Sequence, residues 1–252
     1  MKTFRYGLLG LGAFLLFLLL LAPASLVTDQ ISARLPGFTV QTVTGTATGG
    51  VMYDLQWHGT RIEKLSWNWQ PLALATGRLG FRLDVADPDL KSTGYATLGW
   101  DRQWRFQDLV GSALLDKLYA LAGQSKLPLQ GMVEWNLREL HLNAVGRPTA
   151  THGTIHLLGL RATLSQPLAL GDMVIEASPT AVDGIQGQVQ DRNGPLALQG
   201  TFNLLPDGRY RFNGQVTVRD AGNPSLRQTL TLLGPPDGNG RWPLNFSGRL
   251  AW

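Results

Sequence analysis

From Phe38 onward, apolar side chains recur at every second position, and a chain with that period is confined to β-strands with one buried face. Val51, Tyr53, Leu55 and Trp57 alternate with Met52, Asp54, Gln56 and His58; Phe81, Leu83 and Val85 alternate with Arg82, Asp84 and Ala86. Both segments predict half-buried antiparallel strands. Between Phe202/Leu204 and Tyr210/Phe212/Val216/Val218 stands Leu205-Pro206-Asp207-Gly208, where Pro206 presets φ and Gly208 accepts a positive φ. A hairpin is predicted there. Two segments break phase: Val133, Trp135 and Leu137 give way to Leu140 and Leu142 after Arg138-Glu139, and Ile62 is out of step with Leu65, Trp67 and Trp69. A β-bulge at each place restores one apolar face and bends the strand, which predicts long, curved sheets.

Only two segments beyond Val27 have helical spacing. Ser112 to Ala122 places Leu114, Leu115, Leu118, Leu121 and Ala122 on one stripe, with Ser112 as N-cap and Gly123 beyond the end. Pro224 to Leu233 has Asn223 to cap it, Leu226, Leu230 and Leu233 on one face, and Gly234 to stop it. Each helix follows a set of strands. The expected fold is therefore mostly β: antiparallel sheet in two similar halves, residues 38–146 and 150–252, each with one short helix and divided near Gly146 to Gly153. A packed sandwich and an open curved sheet share this alternation, so both stay open.

Residues Gly7 to Val27 carry no charge and include ten leucines, a length that spans a hydrocarbon core of roughly 30 Å as a helix. Lys2 and Arg5 precede the run, while Asp29 and no base before Arg34 follow it. The positive-inside bias then puts residues 1–6 in the cytoplasm, 7–27 in the membrane as an anchor, 28–37 in a linker and the rest outside. The competing reading is a cleaved secretory signal ending at Ala22-Pro23-Ala24-Ser25; both readings export the body. Gly7, Gly10 and Gly12 superficially match a dinucleotide loop, but no strand precedes them.

Composition removes whole classes of function. With 30 Gly, 14 Pro and 40 charged residues the chain is neither a helical bundle nor a disordered tail. The absence of cysteine removes disulfides, thiolate metal sites and cysteine nucleophiles. Beyond Lys2 and Arg5 the balance is 20 bases to 18 acids, which is not the footprint of a nucleic-acid binder. His152 and His156 are four apart without a third ligand nearby in sequence, and Asp84, Asp87 and Asp89 crowd Pro88 as turn residues do. No nucleophile elbow, phosphate loop or zinc-protease helix is present in the sequence. No catalytic, cofactor-binding or metal residue is assigned. Trp57, Trp67, Trp69, Trp135 and Trp242 fall on alternating strands and are expected in the core or on a sheet face, whereas Trp100 and Trp104, beside Asp101, Arg102 and Arg105, are expected to be exposed partner contacts.

The order of certain segments carries a family likeness: Leu35-Pro36-Gly37-Phe38-Thr39-Val40 leading to Gly45-Thr46, Leu65-Ser66-Trp67-Asn68-Trp69-Gln70-Pro71-Leu72 with Gly77-Arg78-Leu79-Gly80, and Leu127-Pro128-Leu129-Gln130-Gly131. Gly194-Pro195-Leu196-Ala197-Leu198-Gln199-Gly200, Asp207-Gly208-Arg209-Tyr210, Leu226-Arg227-Gln228 to Leu233-Gly234, and Arg241-Trp242-Pro243-Leu244-Asn245-Phe246-Ser247-Gly248 complete it. In this set the chain resembles the protein N family of the bacterial type II (general) secretion pathway. The resemblance implies an inner-membrane protein with a periplasmic body, an accessory part of the machine that exports folded proteins through an outer-membrane secretin. It implies contacts with the secretin or the inner-membrane platform proteins, and neither enzymatic activity nor a cofactor. The alternative from the residues is a periplasmic lipid-binding or lipid-bridging β-groove.

Overall fold

The computed structural model describes residues 21–35, 37–123, 128–163, 167–180, 184–219, 224–231 and 234–249. Most of the apolar run Gly7 to Val27 lies outside them, and no helix among the described residues is long and apolar enough to cross a membrane. The described chain forms one antiparallel sheet of thirteen strands, each paired with its sequence neighbours. The strands are β1 (Thr39–Thr46), β2 (Gly49–Trp57), β3 (Thr60–Trp69), β4 (Leu79–Asp87), β5 (Leu90–Leu98), β6 (Trp104–Leu114), β7 (Leu129–Leu142), β8 (Pro148–Thr163), β9 (Pro167–Pro179), β10 (Ile185–Asp191), β11 (Leu196–Leu204), β12 (Arg209–Val218) and β13 (Trp242–Arg249). The helical elements are α1 (Ala24–Arg34), α2 (Leu115–Leu121) and α3 (Pro224–Thr231), with a 3₁₀ turn at Pro71–Thr76.

Because opposed residues share a face, the register can be followed across the sheet. The row Met52, Leu65, Val85, Ser92, Gly111, Trp135, Ile155, Ile175, Val189, Gly200, Gly214, Leu244 runs along one face. The row beside it, Val51, Ser66, Asp84, Thr93, Val110, Asn136, Thr154, Glu176, Gln188, Thr201, Asn213, Asn245, runs along the other. One face is apolar and one is polar, as the alternation demands. The core lies where helices cover the apolar face: Ala24 and Ile31 of α1 over Met52, Leu55 and Trp67; Leu115 and Leu118 of α2 over Val133 and Leu160; Leu226 and Leu230 of α3 over Leu196, Val216 and Trp242.

Space on the apolar face is shared between rings and glycines. Gly50 faces Trp67, Gly111 faces Trp135, Gly187 faces Phe202 and Gly248 faces Tyr210 across adjacent strands. A β-carbon on any of these glycines would come within 3.0 Å of the ring opposite. Each ring thus lies over its neighbour's backbone and covers surface that glycine cannot cover itself.

Asn143 to Arg147 form a hairpin, closed by Asn143 N–H to Arg147 O at 2.9 Å, and β7 and β8 pair along their length. The two halves are successive parts of one sheet. Most of the linker stretch Thr28 to Gly37 belongs to α1, where Thr28 is buried and Ile31 packs on the sheet. Ser112 is not a helix cap. It pairs with both Lys91 and Glu134, and α2 begins only at Leu115, since two flanking strands satisfy its backbone. Gly123 does end that helix at φ 64°. The second helix is described over Pro224–Thr231, and Asn223 and Leu233 lie outside the described residues.

The phase breaks have two different solutions. Between Leu137 and Glu139 the β7–β8 register shifts, the bulge expected there. At Ile62 to Leu65 no register shift occurs. Instead β2 makes the same slip: Leu55 pairs Ile62 and Met52 pairs Leu65, all four in one core cluster, with Asp54 at φ 53° turning the strand between them. Val51 and Tyr53 are therefore not on the face of Leu55. The hairpin at Leu205 to Gly208 closes as expected, with Leu205 N–H to Arg209 O at 2.9 Å and Gly208 at φ 86°.

Candidate interaction surface

The polar face offers shallow depressions and no converging catalytic groups among the described residues. One, of about 630 Å³, is bordered by Gln188, Gln190, Gln199, Thr201, Asn213 and Asn245. Another, of about 380 Å³, contains His152 with Asn136, Arg138, Thr154 and Glu176. His156 sits on the same face, opposite Glu134. No group of three or more His, Asp or Glu residues is placed to hold a metal among the described residues.

The three aspartates around Pro88 do not converge either. Asp84 and Asp89 are exposed, whereas Asp87 is 5% exposed and belongs to the architecture. Its carboxylate pairs with Lys117 Nζ of α2 at 2.9 Å and accepts the backbone N–H groups of Glu63 and Asp89, each at 3.0 Å. Burial alone raises its pKa, but the hydrogen bonds from Lys117, Asp89 and Glu63 outweigh burial and hold it below the ordinary carboxylate value. This pair ties α2 to the β4–β5 hairpin. Nothing near Asp87 in sequence points to it, because Lys117 is thirty residues away.

Trp100 and Trp104 differ. Trp100 is 92% exposed in the β5–β6 turn, beside Gly77. Trp104 is half-buried on β6 with its ring stacked on Phe106, centroids 6.3 Å apart. Trp67 and Trp242 are buried, and Trp135 covers Gly111.

Two further features were not singled out from the sequence. The first is an apolar cavity of about 410 Å³ between α1, the 3₁₀ turn and β3–β4, bordered by Ile31, Leu65, Trp69, Leu74, Leu79 and Phe81. Leu74 and Leu79, which line it, are 46% and 44% exposed, and Leu72 of the same 3₁₀ turn is 86% exposed. The stop in alternation after Trp69, at Pro71-Leu72-Ala73-Leu74, is the signal that marks this place in the sequence. The second is the edge of the sheet. Among the described residues no strand lies beyond β13, whose residues Asn245 to Arg249 are all exposed, including Phe246. At the opposite edge, β1 is crossed near its end by the backbone, through Ala47 N–H to Ala22 O at 2.8 Å and a Pro23–Thr46 bridge.

Residues 36–245 match the family described as "Type II secretion system (T2SS), protein N". The type II secretion system protein N of Aeromonas hydrophila is 28% identical over 94% of this chain and 95% of its own length. That of Klebsiella pneumoniae is 28% identical over 96% and 94%, and that of Vibrio cholerae is 23% identical over 99% of both chains. No solved structure matches the chain.

Proposed function

We propose a function from one premise: this chain belongs to the type II secretion system protein N family. It is a component of the type II secretion system. We infer that it is a non-enzymatic accessory component, anchored in the inner membrane by the part of the run 7–27 that precedes the contact of Ala22 and Ala24 with the sheet, with its N-terminus cytoplasmic and the sheet in the periplasm. It acts through contacts with the secretin or the inner-membrane platform proteins during export of folded proteins.

The observation that carries the contact reading is the β13 edge, beyond which no strand lies among the described residues. A strand with unpaired backbone groups on one side accepts a strand from another protein, with hydrogen bonds supplying affinity and alternate side chains supplying selectivity. The test is complementation of a deletion strain, read as export of a folded substrate. Wild-type protein restores export and Asn245→Lys does not, because a charged lysine on an edge strand opposes further pairing. Full restoration by the lysine variant refutes the edge contact.

The lipid-groove alternative is narrowed by the fold. Helices α1, α2 and α3 sit on the apolar face and divide it into three clusters. What favours lipid is the cavity at the N-terminal end alone.

A further inference from the structure

The cavity beneath α1 is placed at the end of the charge-free run. Ala47 and Thr48 help to line it, and Ala47 N–H holds Ala22 O at 2.8 Å. Whatever bilayer residues 7–20 enter is therefore within reach of the cavity rim. From this position we propose that the cavity takes one acyl chain of a membrane phospholipid, with Leu72, Leu74 and Trp100 set at the boundary between headgroups and hydrocarbon. The proposal rests on the membrane-anchor reading of residues 7–27.

Three observations select this occupant. The wall is apolar side chains of the inner sheet face together with Ile31 of α1 and Leu74 of the 3₁₀ turn, with Thr48 the one hydroxyl among them, and the indole N–H of Trp67 is already spent on Ala47 O at 3.1 Å. The flanking strands β2, β3 and β4 are paired on both sides, so the wall offers no free backbone ladder to a peptide. A volume of about 410 Å³ falls within the range of roughly 300–1,000 Å³ in which ligand sites bury their occupants. Leu72, in the same 3₁₀ turn as the lining Leu74, and Trp100, beside Gly77 at the end of that turn, are 86% and 92% exposed, and neither packs in a core cluster. Exposed tryptophan and leucine on the membrane side of an anchored domain partition into the interface, where an indole has an apolar body and a wet edge.

The test uses the full chain reconstituted in phosphatidylethanolamine–phosphatidylglycerol vesicles containing a phosphatidylcholine with a diazirine in its acyl chain. After irradiation, peptide mass spectrometry locates the adducts, and a carbonate wash reports membrane retention separately. The expected result is labelling of Trp67, Trp69 or Phe81, displaced by excess unlabelled phospholipid. Leu74→Asp is expected to reduce it about tenfold or more, because an acyl chain does not pass an unpaired carboxylate cheaply. Ala47→Phe, which fills the cavity without adding charge, is expected to do the same. Retention in the membrane with adducts confined to residues 1–20 overturns the acyl-chain site and leaves the anchor standing. Labelling of the cavity in protein released by carbonate supports the site and removes the anchor. Release without cavity labelling refutes both. The competition arm uses wild-type protein, so the outcome does not depend on either variant folding.

Discussion

Replacing Gly187 with alanine isolates the ring-over-glycine packing that lets the apolar face close. Gly187 lies opposite Phe202, and a β-carbon there would stand 1.9 Å from one ring carbon and 2.6 Å from two others. Carbon contacts are comfortable from about 3.5 Å, so the ring must retreat by roughly 1.5 Å. It has little room: Phe202 faces Phe212 across the next strand pair, and Phe212 stacks on Phe246 at 6.4 Å. Overpacking of this kind costs about 1–3 kcal/mol, and reduced freedom of the unfolded chain returns about 0.4–1 kcal/mol. A net destabilisation of about 1–2 kcal/mol follows, measured as a lower urea midpoint with an unchanged slope. Gly49→Ala is the control, because its nearest neighbour would be Trp67 O at 3.8 Å and neither glycine has a left-handed φ. Gly187→Ala/Phe202→Leu should recover most of the loss. Equal stability of Gly187→Ala, Gly49→Ala and the wild type would refute the packing argument.

Other perturbations read separate parts of the structure. Lys117→Met leaves the Asp87 carboxylate buried without its cation and should cost roughly 3 kcal/mol in denaturant unfolding, with Asp87→Asn in the same chain restoring part of it. Because the folded-state pKa of Asp87 is depressed, its contribution is fully present above the ordinary carboxylate value and is lost as pH falls through the lower folded value. Acid titration of stability should therefore show a drop below about pH 4 that Asp87→Asn lacks. Asp54→Val should destabilise by about 1–2 kcal/mol in thermal unfolding, and Asp54→Gly should not, since a β-branched residue tolerates the φ of 53° poorly.

Much of the sheet was legible because period two is a local property of the chain. Phe81 to Ala86, the Leu205–Gly208 turn and the register shift after Leu137 all depend on neighbours within a few residues. What escaped depends on partners far away in sequence. Asp54 carries a face switch only because β3 makes the same slip opposite it. Glycine positions such as Gly187 gain meaning from a ring on the next strand, and Asp87 from Lys117 on a helix. Helix α1 escaped for another reason: Ala24 to Arg34 mixes polar and apolar residues without a strong stripe, and it is the cluster around Met52 and Trp67 that holds it. Trp104 is half-buried on β6, which pairs it with Leu142 and brings its ring against Phe106, partners that lie outside its charged neighbourhood in sequence. Of the surface, the exposure of Trp100 was legible; the cavity was not, since α1, the 3₁₀ turn and two strands must meet to form it.

The account turns on whether this sheet works by joining other components of the secretion system through its open edge. Affinity purification from native membranes in mild detergent, with mass spectrometry of the recovered proteins, compares the wild type with Asn245→Lys. Recovery of the secretin or an inner-membrane platform protein with the wild type, and its loss with the lysine variant, is the predicted result. Recovery of neither with the wild type, or undiminished recovery with the variant, would contradict it.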